Sequence, residues 1–260
     1  MNTTVLEKNT ASVSAGRSPA GVPFYLRDLK WAALALVAIL GFYSFAIWYQ
    51  QAYGHLYGMD SHAPEFDQYW MKWLWAEITL LPVLAVATWS AVWFTRPKGE
   101  TSVAPKEEVR RYFTYVMWLL VYTFAVYWGA SFFAEQDGSW HQVVTRDTSF
   151  TPSHLMIFYL SFPVYIIIGA GSLLYGYTRL PMFREHGVSV PHVLAIVGPF
   201  MILPNVGFNE WGHAFWFMEE LFTAPLHWGF VVLGWSALAL GGVVGQIVLR
   251  VNKLLPQIEK

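Results

Sequence analysis

The sequence contains no cysteine, and this absence excludes disulfide bonds, thiolate metal ligands and cysteine-bound iron–sulfur clusters on this chain. Charged residues are also scarce, because they make up 13% of the 260 residues against about 25% in an ordinary soluble domain. The formal net charge of −1 argues against a nucleic acid or another polyanion as a partner. Hydrophobic residues reach 55%, so the composition predicts a membrane protein.

Six apolar stretches are long enough to cross a bilayer as helices, for which about 20 residues are needed. We therefore predict an all-α, polytopic transmembrane helix bundle with about six spans, at residues 29–50, 74–95, 112–133, 153–178, 188–206 and 226–250. The fifth span is the weakest prediction, because three prolines interrupt it. The stretch 207–224 mixes acids with aromatic residues, which predicts a short helix at the membrane interface or one that re-enters the bundle.

Basic residues predict the orientation of the bundle. Fourteen of the 16 lysines and arginines fall in the N-terminal segment, in the connections after the second and fourth spans, or in the C-terminal tail. Connections rich in basic residues stay in the cytoplasm, so both termini are predicted to be cytoplasmic. Lys72 and Arg146 are the two exceptions. The chain is thus divided into a polar cytoplasmic segment, a membrane bundle and a tail, at residues 1–28, 29–250 and 251–260. The polar first 30 residues predict no cleavable signal peptide.

Two segments on the predicted outer side, 135–154 and 207–227, repeat one arrangement of polar residues. Each has an oxygen-bearing side chain, a histidine four residues later, and a second histidine two residues after a proline at the start of the next span. Residues four apart share one face of a helix, and proline favours the first helical turn. The two predicted ligand sets are Asp137, His141 and His154, and Asn209, His213 and His227.

These residue types predict a metal site rather than a particular metal. Imidazole nitrogen combined with carboxylate or amide oxygen suits copper, zinc or iron. A redox role needs copper or iron, whereas zinc acts as a Lewis acid or a structural clip. The alternative for each histidine taken singly is a hydrogen-bonding residue at the membrane interface. Two parallel sets on one side of the membrane favour the metal site.

Other residues carry weaker signals. Glu77 lies within the second span and should face the bundle or a cavity, either as a proton relay or as a cap. His186 and His192 fall on the inner side and are assigned no chemistry, while Gly171 and the glycines of 229–245 predict close helix packing. A third oxygen-and-histidine cluster in the first outer connection lacks a histidine at a span mouth and is a weaker candidate than the two sets; its members are Asp60, His62 and Glu65.

The runs 128–141, 146–154, 198–222 and 224–230 closely resemble the C subunit of the copper membrane monooxygenases. This family includes particulate methane monooxygenase, ammonia monooxygenase and short-chain alkane relatives. The resemblance covers residues 40–250, and all six predicted ligands stand where the family has metal ligands. It implies copper as the cofactor, with zinc as the alternative at the Asp137 set, and it leaves open which set is catalytic.

The resemblance also implies the activity and the assembly. The expected function is that of the C subunit in a copper-dependent monooxygenase that uses O₂ to hydroxylate ammonia, methane or a short alkane. The expected partners are the A and B subunits, assembled as a trimer of heterotrimers, with membrane lipids around them and quinol as the electron donor. The expected location is a bacterial inner membrane, either cytoplasmic or intracytoplasmic.

Two alternative functions use the same residues. The chain could be a scaffold whose metal clips helices together while another chain of the complex performs catalysis. It could also be a metal transporter, but the inner halves of the predicted spans offer almost no acids or histidines that would continue a polar path. Activity of a variant of this chain, measured while the partners retain their metal, distinguishes the scaffold from the enzyme.

Overall fold

The computed structural model describes residues 24–100, 102–140, 143, 145–146, 150–187, 189–201 and 227–258. Over these ranges the chain is helical and contains no β-strand, which confirms the predicted all-α class for this part of the protein. The predicted interfacial helix at 207–224 lies outside the described residues, as does most of the N-terminal polar segment.

Eight helices, labelled in chain order, build the described part: α1 Phe24–Tyr57, α2 Pro64–Phe94, α3 Pro105–Tyr127, α4 Ala134–Trp140, α5 Pro152–Arg179, α6 Pro181–Glu185, α7 Val190–Val197 and α8 Gly241–Ile258. Proline occupies the first turn of α2, α3, α5, α6 and α7, where its missing N–H costs nothing. Wider π-helical turns occur within α2 and α5, between α3 and α4, and before α8, at Asp67–Met71, Leu155–Ser161, Trp128–Phe133 and His227–Leu240.

Four helical stretches in the described part are long and apolar enough to cross a membrane: Leu29–Tyr57, Pro64–Phe94, Pro152–Arg179 and Val232–Ile258. They coincide with the first, second, fourth and sixth predicted spans, although the second begins earlier than the predicted residue 74. The third predicted span is helical in α3, but the first turns of this helix are charged. The fifth is the shorter apolar helix Val190–Phe200. The number of spans and the cytoplasmic termini stay predictions.

Helix α3 lies at the centre of the bundle and contacts α1, α5 and α8, while α2 packs against α5. The face of α3 that meets its neighbours carries the fully buried rings of Tyr112, Tyr115 and Tyr122. Large apolar side chains lie on the outside instead, with Val37 66%, Leu80 65% and others similarly exposed. A soluble protein rarely leaves so much apolar surface uncovered, so the outside is suited to lipid or to other protein chains.

Ion pairs and one buried histidine connect the helices at the end of the bundle that is predicted to be cytoplasmic. Glu108 of α3 accepts hydrogen bonds at 2.7 and 3.1 Å from the guanidinium of Arg250 in α8. Arg111 donates to Glu100 in the preceding connection at 2.7 and 2.9 Å. His192 is fully buried and shares a hydrogen bond with the Tyr115 hydroxyl, which indicates a role in packing.

Candidate metal centre

Asp137 and His154 come from two helices that meet at one end of the bundle. Asp137 lies in the middle of the short helix α4, and His154 lies in the first turn of α5. The Thr151 side chain caps α5 by accepting a hydrogen bond from the backbone N–H of His154 at 3.3 Å. Pro152 occupies the first helical position. Thr151 and Pro152 therefore fix the start of α5, and His154 lies in its first turn, as the spacing from the proline predicted.

The two side chains meet as a nitrogen–oxygen pair. His154 Nε2 lies 3.5 Å from Asp137 Oδ1. The Asp137 side chain is 1% exposed and that of His154 is 16% exposed. Burial of a carboxylate is costly unless a positive charge or hydrogen bonds compensate it. A cation held between these two groups would supply such compensation.

The connection before α5 is fastened to the connection after α1. The backbone N–H groups of Thr145 and Arg146 donate to the Met59 carbonyl at 2.8 and 3.2 Å, and Ser61 N–H donates to the Arg146 carbonyl at 3.1 Å. Gly58 makes the close approach possible, because a Cβ there would lie 2.6 Å from Pro152 Cγ. These contacts brace the start of α5, where His154 lies.

Asp60 and Arg146 add an ion pair to this brace. The Arg146 guanidinium donates to the Asp60 carboxylate, and the backbone N–H of His62 donates to the same side chain at 2.9 Å. The hydrogen bond from Arg146 holds the pKa of the Asp60 carboxyl below its usual value. Asp60 therefore has a structural role in this brace.

The remaining predicted ligands are placed only in part. His141, Asn209 and His213 lie outside the described residues. His227 begins the π-helical segment His227–Leu240, but its side chain lies outside the described part of the protein. Among the described residues no group of three acids or histidines is close enough to hold a metal ion. Asp137 and His154 are thus the two members of one predicted set that the structure brings together.

Arg146 is a functional neighbour whose role the sequence reasoning missed. A signal was available, because Arg146 is one of two basic residues on the predicted outer side. Basic residues are usually cytoplasmic, so an arginine on the outer side is expected to pair with an acid nearby. Asp60 is an acid on the same predicted outer side. A search for acids near the two outer basic residues, Lys72 and Arg146, would have predicted the ion pair between Arg146 and Asp60.

Glu77 is buried at 5% exposure, as expected of an ionisable residue within a span. It lines a groove of about 360 Å³ between α1 and α2 together with Phe42, Trp73 and Leu80. Its carboxylate oxygens have no hydrogen-bond partner within the described part of the chain. The prediction that Glu77 faces the bundle or a cavity is confirmed, since it is buried and lines this groove.

A comparison with protein families shows to which family the chain belongs. The family model for the C subunit of ammonia monooxygenase/methane monooxygenase matches residues 13–258. The chain belongs to this family. A search of curated proteins finds no match to the chain.

The helical, apolar structure of the chain agrees with its membership of this monooxygenase family. Proteins of the family are parts of ammonia or methane monooxygenase complexes, and the chain is accordingly one component of a membrane monooxygenase. The four long apolar helices agree with a location in a membrane. The match extends over both predicted ligand sets, so the resemblance seen in the sequence is confirmed over nearly the whole chain.

Proposed function

We propose that this chain carries the copper of a membrane monooxygenase, with one site at Asp137, His141 and His154 and a second at Asn209, His213 and His227. The observation that supports this most strongly is the buried Asp137 carboxylate 3.5 Å from the imidazole of His154. An oxygen and a nitrogen donor that converge in a buried place are suited to copper or zinc. The contacting residues therefore fit the metal that the family resemblance implies.

The proposed reaction consumes one O₂, two electrons and two protons. One oxygen atom enters ammonia, methane or a short alkane, and the other leaves as water. When bound, copper would supply the one-electron chemistry that O₂ activation requires. Quinol is the proposed electron donor, and the A and B subunits are the proposed partners in a trimer of heterotrimers in a bacterial inner membrane.

The residues of this chain have distinct tasks in that proposal. Asp137 supplies a negative charge that makes the site selective for a cation. Thr151 fixes the first turn of α5 and hence the direction of His154. The Phe158 ring lies against the His154 imidazole at a centroid distance of 5.0 Å, and such apolar cover limits the access of water.

Alanine variants at the proposed ligands test this function. Replacement of His141, His154, His213 or His227 by Ala, one at a time, should abolish turnover while the complex still assembles in the membrane. The measurement is substrate-dependent O₂ consumption by membranes that contain equal amounts of the assembled complex. Normal turnover by a variant would remove that residue from the proposed site.

The scaffold alternative predicts a different result in the same experiment. If the metal only clips α4 to α5, the alanine variants should lose thermal stability in proportion to any loss of turnover. A variant that keeps its assembly and its melting temperature but loses turnover supports the catalytic role instead. Metal content of the partner subunits, measured in parallel, excludes an indirect loss from those chains.

A further inference from the structure

The groove of about 360 Å³ between α1 and α2 is open to the outside of the bundle. Most of its wall is aliphatic or aromatic, and these lining residues are Phe42 and Tyr49 of α1, Tyr69, Trp73, Ala76, Leu80 and Leu81 of α2, and Leu160 of α5. Leu80 is 65% exposed and Phe42 is 45% exposed, so the rim of the groove faces the surroundings of the protein.

One end of the groove is polar and carries a positive charge. Gln68 and Lys72 also line it, and both are exposed. They lie near the start of α2, which follows the predicted outer connection. Glu77 is the other charged lining residue, but its carboxylate oxygens are buried and add no exposed negative charge. The groove therefore presents a cation at its outer end and apolar surface along the rest.

Lys72 is the second of the two basic residues on the predicted outer side. The first, Arg146, pairs with Asp60. Within the described part of the chain, the ammonium group of Lys72 forms no ion pair. Basic residues are uncommon on the outer side of a membrane protein, and the exposed Lys72 is free to pair with an anion from outside the chain. The phosphate of a membrane lipid is such an anion.

The length of the groove matches one leaflet of a bilayer. The stretch of α2 from Lys72 to Leu81 is about 14 Å long at 1.5 Å per residue, and one leaflet of hydrocarbon is about 15 Å deep. The second predicted span begins at residue 74, which places Lys72 at the level of the lipid headgroups. A helix of a partner chain is about 10 Å across, so 14 Å of it takes about 1,100 Å³. An acyl chain is thin enough to enter the groove.

Contacts within the protein hold the wall of the groove in place. The Trp73 ring lies 5.3 Å from the Tyr49 ring and 6.0 Å from the Phe42 ring. The Tyr49 hydroxyl donates to the Tyr69 carbonyl at 2.8 Å, which joins α1 to α2. Gln68 and Tyr69 belong to the π-helical turn Asp67–Met71, and such turns are frequent at functional sites. A preformed wall lowers the ordering cost of binding.

We propose that this groove binds one anionic phospholipid of the outer leaflet. The lipid phosphate pairs with Lys72, the Gln68 amide donates a hydrogen bond to the headgroup, and one acyl chain lies along Trp73 and Ala76 as far as Leu81. The site lies outside both predicted ligand sets and goes beyond the proposed function, because it depends only on the position of the chain in a membrane.

Photolabelling of the complete complex tests this site. The complex is placed in phosphatidylcholine nanodiscs that contain a small fraction of phosphatidylglycerol with a diazirine in one acyl chain, and labelled residues are located by mass spectrometry. Wild-type protein should carry more label per residue at 73–81 than at 83–94, a stretch of the same helix whose Val83 and Val86 are exposed outside the groove. Unlabelled phosphatidylglycerol should compete for 73–81, whereas additional phosphatidylcholine should not.

Two variants address the two ends of the groove. Lys72→Met keeps the aliphatic stem and removes the charge, so the excess label at 73–81 should fall about fivefold, the usual contribution of one lysine near anionic lipid. Lys72→Arg should retain it. Ala76→Phe places a ring in the groove and should also remove the excess, and it decides the test if Lys72→Met does not assemble.

Matched controls make the same changes on α2 outside the groove. Lys98→Met removes an exposed lysine beyond the other end of the helix, and Ala87→Phe enlarges an exposed alanine that does not line the groove. Both should label as the wild type does.

Three results would overturn the proposal. Equal label at 73–81 and 83–94 in the wild type would show ordinary boundary lipid only. Wild-type labelling of Lys72→Met and Ala76→Phe would exclude the groove, and equal competition by phosphatidylcholine would exclude selection of an anionic lipid. Because the measurement uses no turnover, failure of the proposed monooxygenase function would leave all of these results unchanged.

Discussion

At the scale of the residue, the position of His154 depends on the cap at the start of α5. Thr151 is fully buried, and its hydroxyl accepts a hydrogen bond from the His154 backbone while lying 3.2 Å from the Ser153 hydroxyl. The metal ligand and its support are therefore three residues apart in one turn. A substitution of Thr151 should therefore alter the geometry of the metal centre although Thr151 is not itself a ligand.

We predict that Thr151→Ala weakens metal binding at the Asp137 set. Loss of an N-cap costs about 1 kcal/mol, which corresponds to roughly fivefold weaker binding if the whole loss falls on the bound geometry. A titration of the assembled complex with a copper chelator measures this shift. Thr151→Ser retains the hydroxyl and should restore wild-type affinity, and equal affinity for all three proteins would show that the cap does not position His154.

The ligand types could be predicted from the sequence, but their support could not. The spacing of Pro152 and His154 already placed a histidine in the first turn of a helix, and the structure has it there. The pairing of Asp60 with Arg146 joins residues 86 positions apart. No local pattern specifies such a contact, because it depends on how the two outer connections fold against each other.

At the scale of the element, the fit between α3 and α5 depends on a glycine. A Cβ at Gly169 would lie 2.7 Å from the ring of Tyr122. That ring cannot move aside freely, because its hydroxyl donates to the Ile196 carbonyl of α7 at 2.8 Å. A Cβ at Gly171 would meet its nearest atoms, Thr88 Cγ2 and Trp89 Cδ1, at an ordinary 3.7 Å.

We predict that Gly169→Ala lowers the stability of the protein by about 1–3 kcal/mol, the usual cost of overpacking a core. Gly171→Ala on the same helix is the matched control and should be neutral or slightly stabilising, since alanine favours helix more than glycine does. Thermal unfolding of the purified complex in one detergent compares them. Equal melting temperatures for the two variants would contradict the packing described at Tyr122.

The glycines show how far helix packing could be predicted. Close packing was expected at Gly171 and along the glycines of 229–245. A Cβ at Gly242 would indeed lie 2.9 Å from Pro191, but Cβ atoms at Gly229 and Gly245 would have no described residue within 4 Å, and the closest approach on α5 is at Gly169. Composition predicts that small residues lie between helices, whereas the helix rotation that selects one glycine is set by its partners, here the ring of Tyr122.

At the scale of the whole molecule, four of the six predicted spans coincide with helices that are long and apolar enough to cross a membrane. The third and fifth predicted spans do not coincide with such a helix among the described residues. The start of α3 carries Glu108, which forms an ion pair with Arg250 of α8. The helix therefore contains a charged residue that is neutralised by another helix. Hydropathy alone cannot separate a span from a helix whose charged turns are paired inside the protein.

The absence of cysteine makes the predicted orientation directly testable. His62→Cys places a thiol in the predicted outer connection after α1, where the native side chain is 58% exposed, and Lys98→Cys places one at an exposed position after α2. A membrane-impermeant maleimide added to intact cells should label this chain in the first variant. It should label the second only after the membrane is opened. The reverse pattern would contradict cytoplasmic termini.

The central claim is that the two ligand sets of this chain hold the metal that the monooxygenase uses. Copper and zinc content, together with electron paramagnetic resonance and turnover, should be measured on the complex in native-like lipid for the wild type, Asp137→Ala and Asn209→Ala. Asp67→Ala, which changes an exposed acid of α2 outside both sets, is the control. The account predicts that at least one ligand variant loses a copper(II) signal together with turnover, while the control keeps both. Wild-type copper content and turnover in both ligand variants would contradict it.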